Sequence, residues 1–425
     1  MLRLLIVSFL FAVSIHATDF TLRAGVSSED ITPSFNGPMY GYANRKCGPA
    51  NGTHDALHAK ALVLAVGDTK IAIVTLDLGS MVSRDLRQKV QDRLGIPVLL
   101  LAASHTHSAP SFLPATGEAP AELSRYQQEL EPKIFAAVER AAGSMFPARL
   151  AVARGSLQLG YNRLLLREDG RARALFDNLE RVPYGPVDPE FVLLEVQDES
   201  GRPKALLVHY AVHAVVLGPT SCKYSADYPG VMQTRVEASL SGVQCMFVQG
   251  GAGDINPLFE GRTGNEAEDF ATTQKMGELF AAEVIKVAAE VQPTAPIRSP
   301  IRYISTPMSF PDRWEKDKTV DVGITTVLIN REIAIAATPG EPMHKLQTTW
   351  KQEAGVAYPL FYGYTYSGTG VWPGYIPDLR SAAYGGYGAD VTTHIAIGAG
   401  ERIMQQHLIN LYEMLDMWKA APGKP

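Results

Sequence analysis

Cysteine is scarce, with three in 425 residues: Cys47, Cys222 and Cys245. So few exclude a disulfide scaffold and a thiolate zinc cluster. One disulfide remains open in an oxidising compartment, and the spacing does not choose the pair. Beyond the N-terminal segment, no stretch reaches the roughly 18 apolar residues needed to cross a bilayer. Neither sign of charge is in excess: 39 Lys and Arg face 44 Asp and Glu, a net charge of -5. Without a basic patch or tail, a nucleic-acid partner is excluded. Two catalytic signatures are missing as well. No HEXXH occurs, so an ordinary zincin is excluded. No GxSxG elbow occurs, so a serine nucleophile of the α/β-hydrolase kind is disfavoured. Finally, no Gly/Ser or Pro linker and no repeat period divides the chain.

What is present begins with MLRLLIVSFLFAVSIHATDF. Arg3, the apolar run Leu4 to Val13 and a cleavage point at Ala17 read as a secretory signal peptide over 1–17. The expected location is secreted or periplasmic, with an N-terminal membrane tether as the alternative. Residues 18–425 then read as one domain.

Ala59–Val66 and Lys70–Leu76 predict a hairpin turning at Gly67 and Asp68. A helix is expected over Leu86–Leu94, stopped by Gly95 and Pro97. Strands are expected at Val98–Ala102, Ala148–Gln158, Glu190–Gln197, Lys204–His209 and Cys245–Gln249. Helices are expected at Ser124–Ala142, Tyr228–Leu240, Ala267–Ala289 and Gly398–Trp418. A second hairpin is expected at Val320–Ile329 and Ile333–Ala337. Tyr358 to Tyr387, rich in Gly and Tyr, reads as ordered loop. The fold class is α/β or α+β, a single large mixed-sheet domain with functional loops at strand ends.

Histidine is sparse too, at 10. SHTHSAP, directly after an expected strand, carries His105 and His107, two apart and so on one side of an extended segment. HYAVHAVV carries His209 and His213. TPGEP puts Glu341 after another strand, and GAGDINP does the same for Asp254. Imidazole suits zinc, and catalytic zinc uses about three protein ligands with one position open. From spacing alone, supporting hydrogen bonds remain an equal reading, above all for Asp254; His209 reads as structural.

The order of these segments resembles the neutral/alkaline non-lysosomal ceramidases over nearly all of the mature length. The landmarks are AGVSSEDITP, MYGYANR, SHTHSAP, YNR at Tyr161–Arg163, HYAVHAVV, GAGDINP, TPGEP and the Tyr/Gly-rich segment. The resemblance implies the family's catalytic domain. The further β-rich domain of its ceramidases is not expected within these 425 residues. It also implies a zinc ion held by His105, His213, Glu341 and Tyr375. His107, Arg163 and Tyr387 fall on positions that bind substrate or support the site.

One motif departs from the family. Its GDxSPN loop reads GDINPL here, so Asn256 replaces the serine. An amide is no nucleophile, but it can donate to an oxyanion or hold a water. The resemblance therefore implies a zinc-dependent, ceramidase-like hydrolase of an amide or ester rather than a ceramidase itself. Its partner would be a small molecule, with a lipid-like one among the candidates. Two alternatives stand beside it: a zinc-dependent lactonase, carbohydrate esterase or lyase, and a binding protein without turnover.

Overall fold

The computed structural model describes residues 20–111, 121–390 and 392–418, without the side chains of 121–124. The expected signal peptide lies outside the described residues. Two sheets form the middle of the molecule. The larger is ten-stranded and mixed. Its path runs Gln244–Gln249, Pro203–Tyr210, Glu190–Asp198, Phe146–Ser156, Leu22–Asp30, His58–Val66, Thr69–Leu76, Val98–Ala103 and Thr365–Tyr366. The smaller holds Arg302–Pro311, Thr319–Ile329, Ile333–Ala337 and Tyr358–Tyr362.

Strand composition explains this layering. HAKALVLAV, residues 58–66, is apolar on both faces, as a strand covered on both sides must be. Ala59, Ala61 and Val63 pack beneath the helices Arg84–Leu94 and Ala121–Gly143. Leu62, Leu64 and Val66 face the other way, against Val327, Ile333, Ile335 and Leu360 of the smaller sheet. At the far end of the larger sheet, Leu206, Val208 and Phe247 pack against Met232, Met276 and Phe280 of two further helices. Trp350, Ile403 and Leu411 cover the outside of the smaller sheet. The result is helix, sheet, sheet, helix: a single large mixed α/β domain.

Both expected hairpins form, Thr69–Leu76 pairing with His58–Val66 and Ile333–Ala337 with Thr319–Ile329. One reading changes, and some elements form where none was expected. Arg302–Pro311 is a strand that the sequence hides, because Pro307 and Pro311 argue against one; it lies at a sheet edge, where proline is tolerated. Tyr358–Tyr387 is not all loop. Tyr358–Tyr362 runs parallel to Ile333–Ala337, Tyr375–Ile376 pairs with Glu341–Pro342, and Leu379–Tyr384 is helical. These strands are too short, and too interrupted by glycine, to show a period; their partners lie far away in sequence.

Of the cysteine pairings left open, Cys47–Cys222 is the one formed, and Cys245 is free and buried.

His407 is a buried core histidine. Its Nδ1 lies 2.8 Å from Thr326 Oγ1 and its Nε2 3.1 Å from Thr338 Oγ1. Burial holds its pKa down to about 3, and that of His209 down to about 4. As pH falls through the unfolded value of about 6.5, the unfolded chain takes up protons that these native imidazoles refuse. Stability is thus fully present above pH 6.5. It is expected to fall between pH 6.5 and 4 by up to about 1.4 kcal/mol per pH unit for each histidine. Urea unfolding at pH 7, 6 and 5 checks this. His407→Met should show a shallower fall than wild type; equal slopes would remove His407 from the account.

Candidate metal centre

Four strand ends meet at one point. Val98–Ala103 leads to His105 and His107, and Pro203–Tyr210 leads to His213. Gln244–Gln249 leads to Asp254 and Asn256, and Ile333–Ala337 leads to Glu341. The chain turns sharply at His105, whose φ of 64° is unusual for a residue with a Cβ. Its backbone N–H donates to Leu78 O at 2.9 Å, and the N–H of His213 to Ile255 O at 3.1 Å. Each loop is thereby tied to a different neighbour. Glycine is required at Gly41, where φ is 96° and a Cβ would come 2.2 Å from the His107 ring. This accounts for the glycine of MYGYANR.

The imidazoles are oriented from behind. His105 Nδ1 donates to Gly79 O at 2.6 Å, and His213 Nδ1 donates to Ala252 O at 2.5 Å. With the proton on Nδ1, each Nε2 presents a lone pair inward. Both Nε2 atoms lie 3.2 Å from the same atom, Glu341 Oε2. His107 Nε2 is 3.2 Å from His105 Nε2. The donor nitrogens of His105, His107 and His213 all lie within 4.8 Å of one another. Lone pairs and a carboxylate aimed at one buried point could hold a divalent cation between them, and nitrogen with oxygen is a donor set that zinc accepts.

Electrostatics are compatible with that role. Burial alone would raise the Glu341 carboxyl, but His105 and His213 bring it well below the usual carboxylate range. Burial holds His213 down to about 4, against the pull of Glu341, and His107 well below its ordinary value. An ionised Glu341 with neutral His107 and His213 is the ligand form of these groups.

The remaining expected residues are brought together around this point. Glu341 and Tyr375 are direct partners in a two-residue parallel ladder. Arg163 donates to Asn256 Oδ1 at 3.0 Å and to Gly253 O at 2.7 Å. Its guanidinium lies 5.4 Å from the Tyr375 ring centroid and 5.2 Å from that of Tyr387. Burial pulls the Arg163 pKa down, but Tyr375 and Glu341 push it above its ordinary value. His107, His213, Arg163, Asn256, Tyr375 and Tyr387 line a cavity of about 560 Å³. A larger cavity of about 780 Å³, around His58, Asp77 and Gln233, shares none of these groups, so the donor set rather than size selects the site.

Asp254 serves its loop. Its carboxylate accepts from His344 Nδ1 at 2.6 Å, from His344 N at 2.8 Å and from Asn162 Nδ2 at 2.8 Å. His209 hydrogen-bonds to Phe361 O and stacks on Tyr362, away from the lone-pair cluster. Tyr364 was not separated from packing by sequence. Its ring centroid is 4.6 Å from that of His105 and 5.9 Å from that of His213, and its buried hydroxyl has no partner. The only signal it offered was its place among many tyrosines. A second group, Asp312, Glu315 and His394, lies nearer the surface, and Asp312 is already engaged by Trp314 N and Glu315 N.

Residues 22–277 match the family model described as "Neutral/alkaline non-lysosomal ceramidase, N-terminal". Neutral ceramidase A of Dictyostelium discoideum is 25% identical over 290 residues, covering 61% of this chain and 40% of that protein. Neutral ceramidase B of the same organism is 25% identical over 271 residues, covering 58% and 37%. The chain thus spans about 40% of the length of these curated relatives. Among solved structures, neutral ceramidase from Pseudomonas aeruginosa superposes with a TM-score of 0.75 at 17% identity, over 96% of this chain and 76% of that one. A ceramidase complexed with C2 gives a TM-score of 0.75 at 16% identity, over 96% and 77%. The family model covers more than half of the chain and the fold agrees over nearly all of it: the protein belongs to the neutral/alkaline non-lysosomal ceramidase family.

Proposed function

We propose that this protein is a zinc-dependent hydrolase of a C–N amide or ester bond, ceramidase-like but with a substrate other than ceramide. One observation carries the reading: Glu341 Oε2 lies 3.2 Å from the inward Nε2 atoms of both His105 and His213, beside a cavity that His213 lines. His105, His213 and Glu341 would hold the ion, with Tyr375 alongside. Zinc bound there would lower the pKa of a water and polarise the scissile carbonyl.

The chain's own groups supply the rest. His107 lines the cavity and lacks a partner at Nδ1, so its imidazole can take the water's proton and return it to the leaving group. Arg163 is held rigidly by Asn256 and Gly253, which suits it to steady the carbonyl oxygen as charge develops. Tyr375 and Tyr387 flank its guanidinium and keep it aimed. Asn256 here positions that arginine. Export is part of the proposal. It rests on the N-terminal signal pattern and on the Cys47–Cys222 disulfide, a bond that persists in oxidising compartments. No helix among the described residues is long and apolar enough to cross a membrane.

The test is metal content measured together with turnover. Purified protein is expected to bind about one zinc per chain. It is expected to hydrolyse at least one member of a panel of N-acyl amides, esters and lactones, and ceramide poorly. Protein that binds no metal after zinc reconstitution would sink the reading. Fast ceramide turnover would correct the substrate.

A further inference from the structure

The same cavity has a second cation at its rim. Arg262 lines it together with Arg163. Its side chain is 17% exposed. Nη1 donates to Phe176 O at 2.8 Å and Nη2 to Val215 O at 3.3 Å. Val215 lies two residues beyond His213, so these bonds tie the guanidinium to the loop that carries a proposed ligand. Gly218 makes room for the side chain; a Cβ there would come 2.4 Å from Arg262 Cγ. The placement is therefore built, not a surface arginine that happens to fall nearby.

The charge at this rim is poorly matched. Both bonds of Arg262 go to neutral carbonyls, and its Nε has no partner. Its nearest carboxylate is Asp177 Oδ1 at 3.7 Å, on a side chain 80% exposed. Arg163 lies deeper in, where Glu341 supports its charge. It is 4% exposed, its hydrogen bonds go to an amide and a carbonyl oxygen, and its Nε is likewise unpartnered. Among the lining residues Asp177 is the one carboxylate facing these two cations. A partly buried guanidinium whose nearest carboxylate sits on an exposed side chain gains from a further anion. A cleft lined by one sign of charge also concentrates ligands of the other.

Resting on the hydrolase reading above, we infer that the substrate is an acyl amide or ester bearing a carboxylate, and that Arg262 is the residue that selects it. The scissile carbonyl would lie toward His213 and Arg163, with the carboxylate at Arg262. Arg262 still has the second hydrogens of Nη1 and Nη2 to offer, a fork that fits a planar carboxylate. This class differs from uncharged lipid amides by its charge, and it agrees with a cavity lined by two arginines and one exposed carboxylate, Asp177.

The experiment compares N-hexanoylglycine with its uncharged carboxamide, N-hexanoylglycinamide, on the purified full chain. Binding is read by calorimetry and turnover separately. Wild type is expected to prefer the carboxylate by about 10- to 100-fold, the worth of a charge-assisted hydrogen bond. That preference should shrink as salt rises. Arg262→Gln should bring the ratio near unity, and Arg262→Lys should keep part of it. Gly218→Ala gives a check that leaves the arginine in place: by displacing Arg262 it should also reduce the ratio. Equal binding of the two probes by wild type would overturn the inference, as would an unchanged ratio in Arg262→Gln. The two readings fail differently. Turnover without a charge preference removes only the carboxylate. A charge preference in binding, without hydrolysis of any amide or ester, removes only the hydrolase.

Discussion

Protein carrying His105→Ala with His213→Ala is expected to lose its metal and its turnover together. The two imidazoles provide the inward Nε2 atoms nearest Glu341 Oε2. Structural zinc sites with four protein ligands are worth about 10–16 kcal/mol, or about 3 kcal/mol per donor, so removing two should weaken binding on the order of 10⁴-fold. Elemental analysis after dialysis would read this as a fall from about one zinc per chain to none. Zinc should also raise the thermal midpoint of wild type, by mass action, and leave the double variant unmoved. A double variant that still bound one ion per chain would show that the ligands lie elsewhere. The surface group of Asp312, Glu315 and His394 would then be the place to look.

Arg163→Met is expected to lower kcat by about 10²- to 10³-fold while metal content stays at the wild-type level, the usual loss for one pre-aimed donor at a developing oxyanion. The split matters, because the hydrogen bonds of Arg163 go to Asn256 Oδ1 and Gly253 O rather than to His105, His213 or Glu341. Arg163→Lys should not restore the rate. A lysine has a single nitrogen and cannot hold both of those acceptors while also reaching the substrate. If lysine did restore it, charge alone would be sufficient and the fork geometry irrelevant. A rise in KM with kcat unchanged would likewise remove Arg163 from the chemical step.

Much of the centre was legible because its residues lie in short polar motifs directly after apolar strands. SHTHSAP, HYAVHAVV, GAGDINP and TPGEP each sit where a strand ends, and ligand groups on loops at strand ends are readable without knowing the partner strand. Both hairpins were legible for a related reason: Gly67 and Asp68 join neighbours in sequence. Arg262 and Tyr364 were not. Neither sits in a motif that distinguishes it from ordinary packing, and their roles depend on which loops they face.

By itself, the sequence determined an α/β class, a chain without a spanning helix after its start, and a set of histidines and carboxylates whose order is that of a ceramidase-like centre. Tertiary structure alone decided the rest. It paired Cys47 with Cys222, turned the Tyr/Gly segment into strands, engaged Asp254 with His344, and stood Arg262 beside Arg163. The physical reason is separation along the chain. His213 and Glu341 are 128 residues apart, and Asp254 and His344 are 90 apart. Contacts of that kind follow from how two sheets stack, and local patterns of polarity carry no record of the stacking.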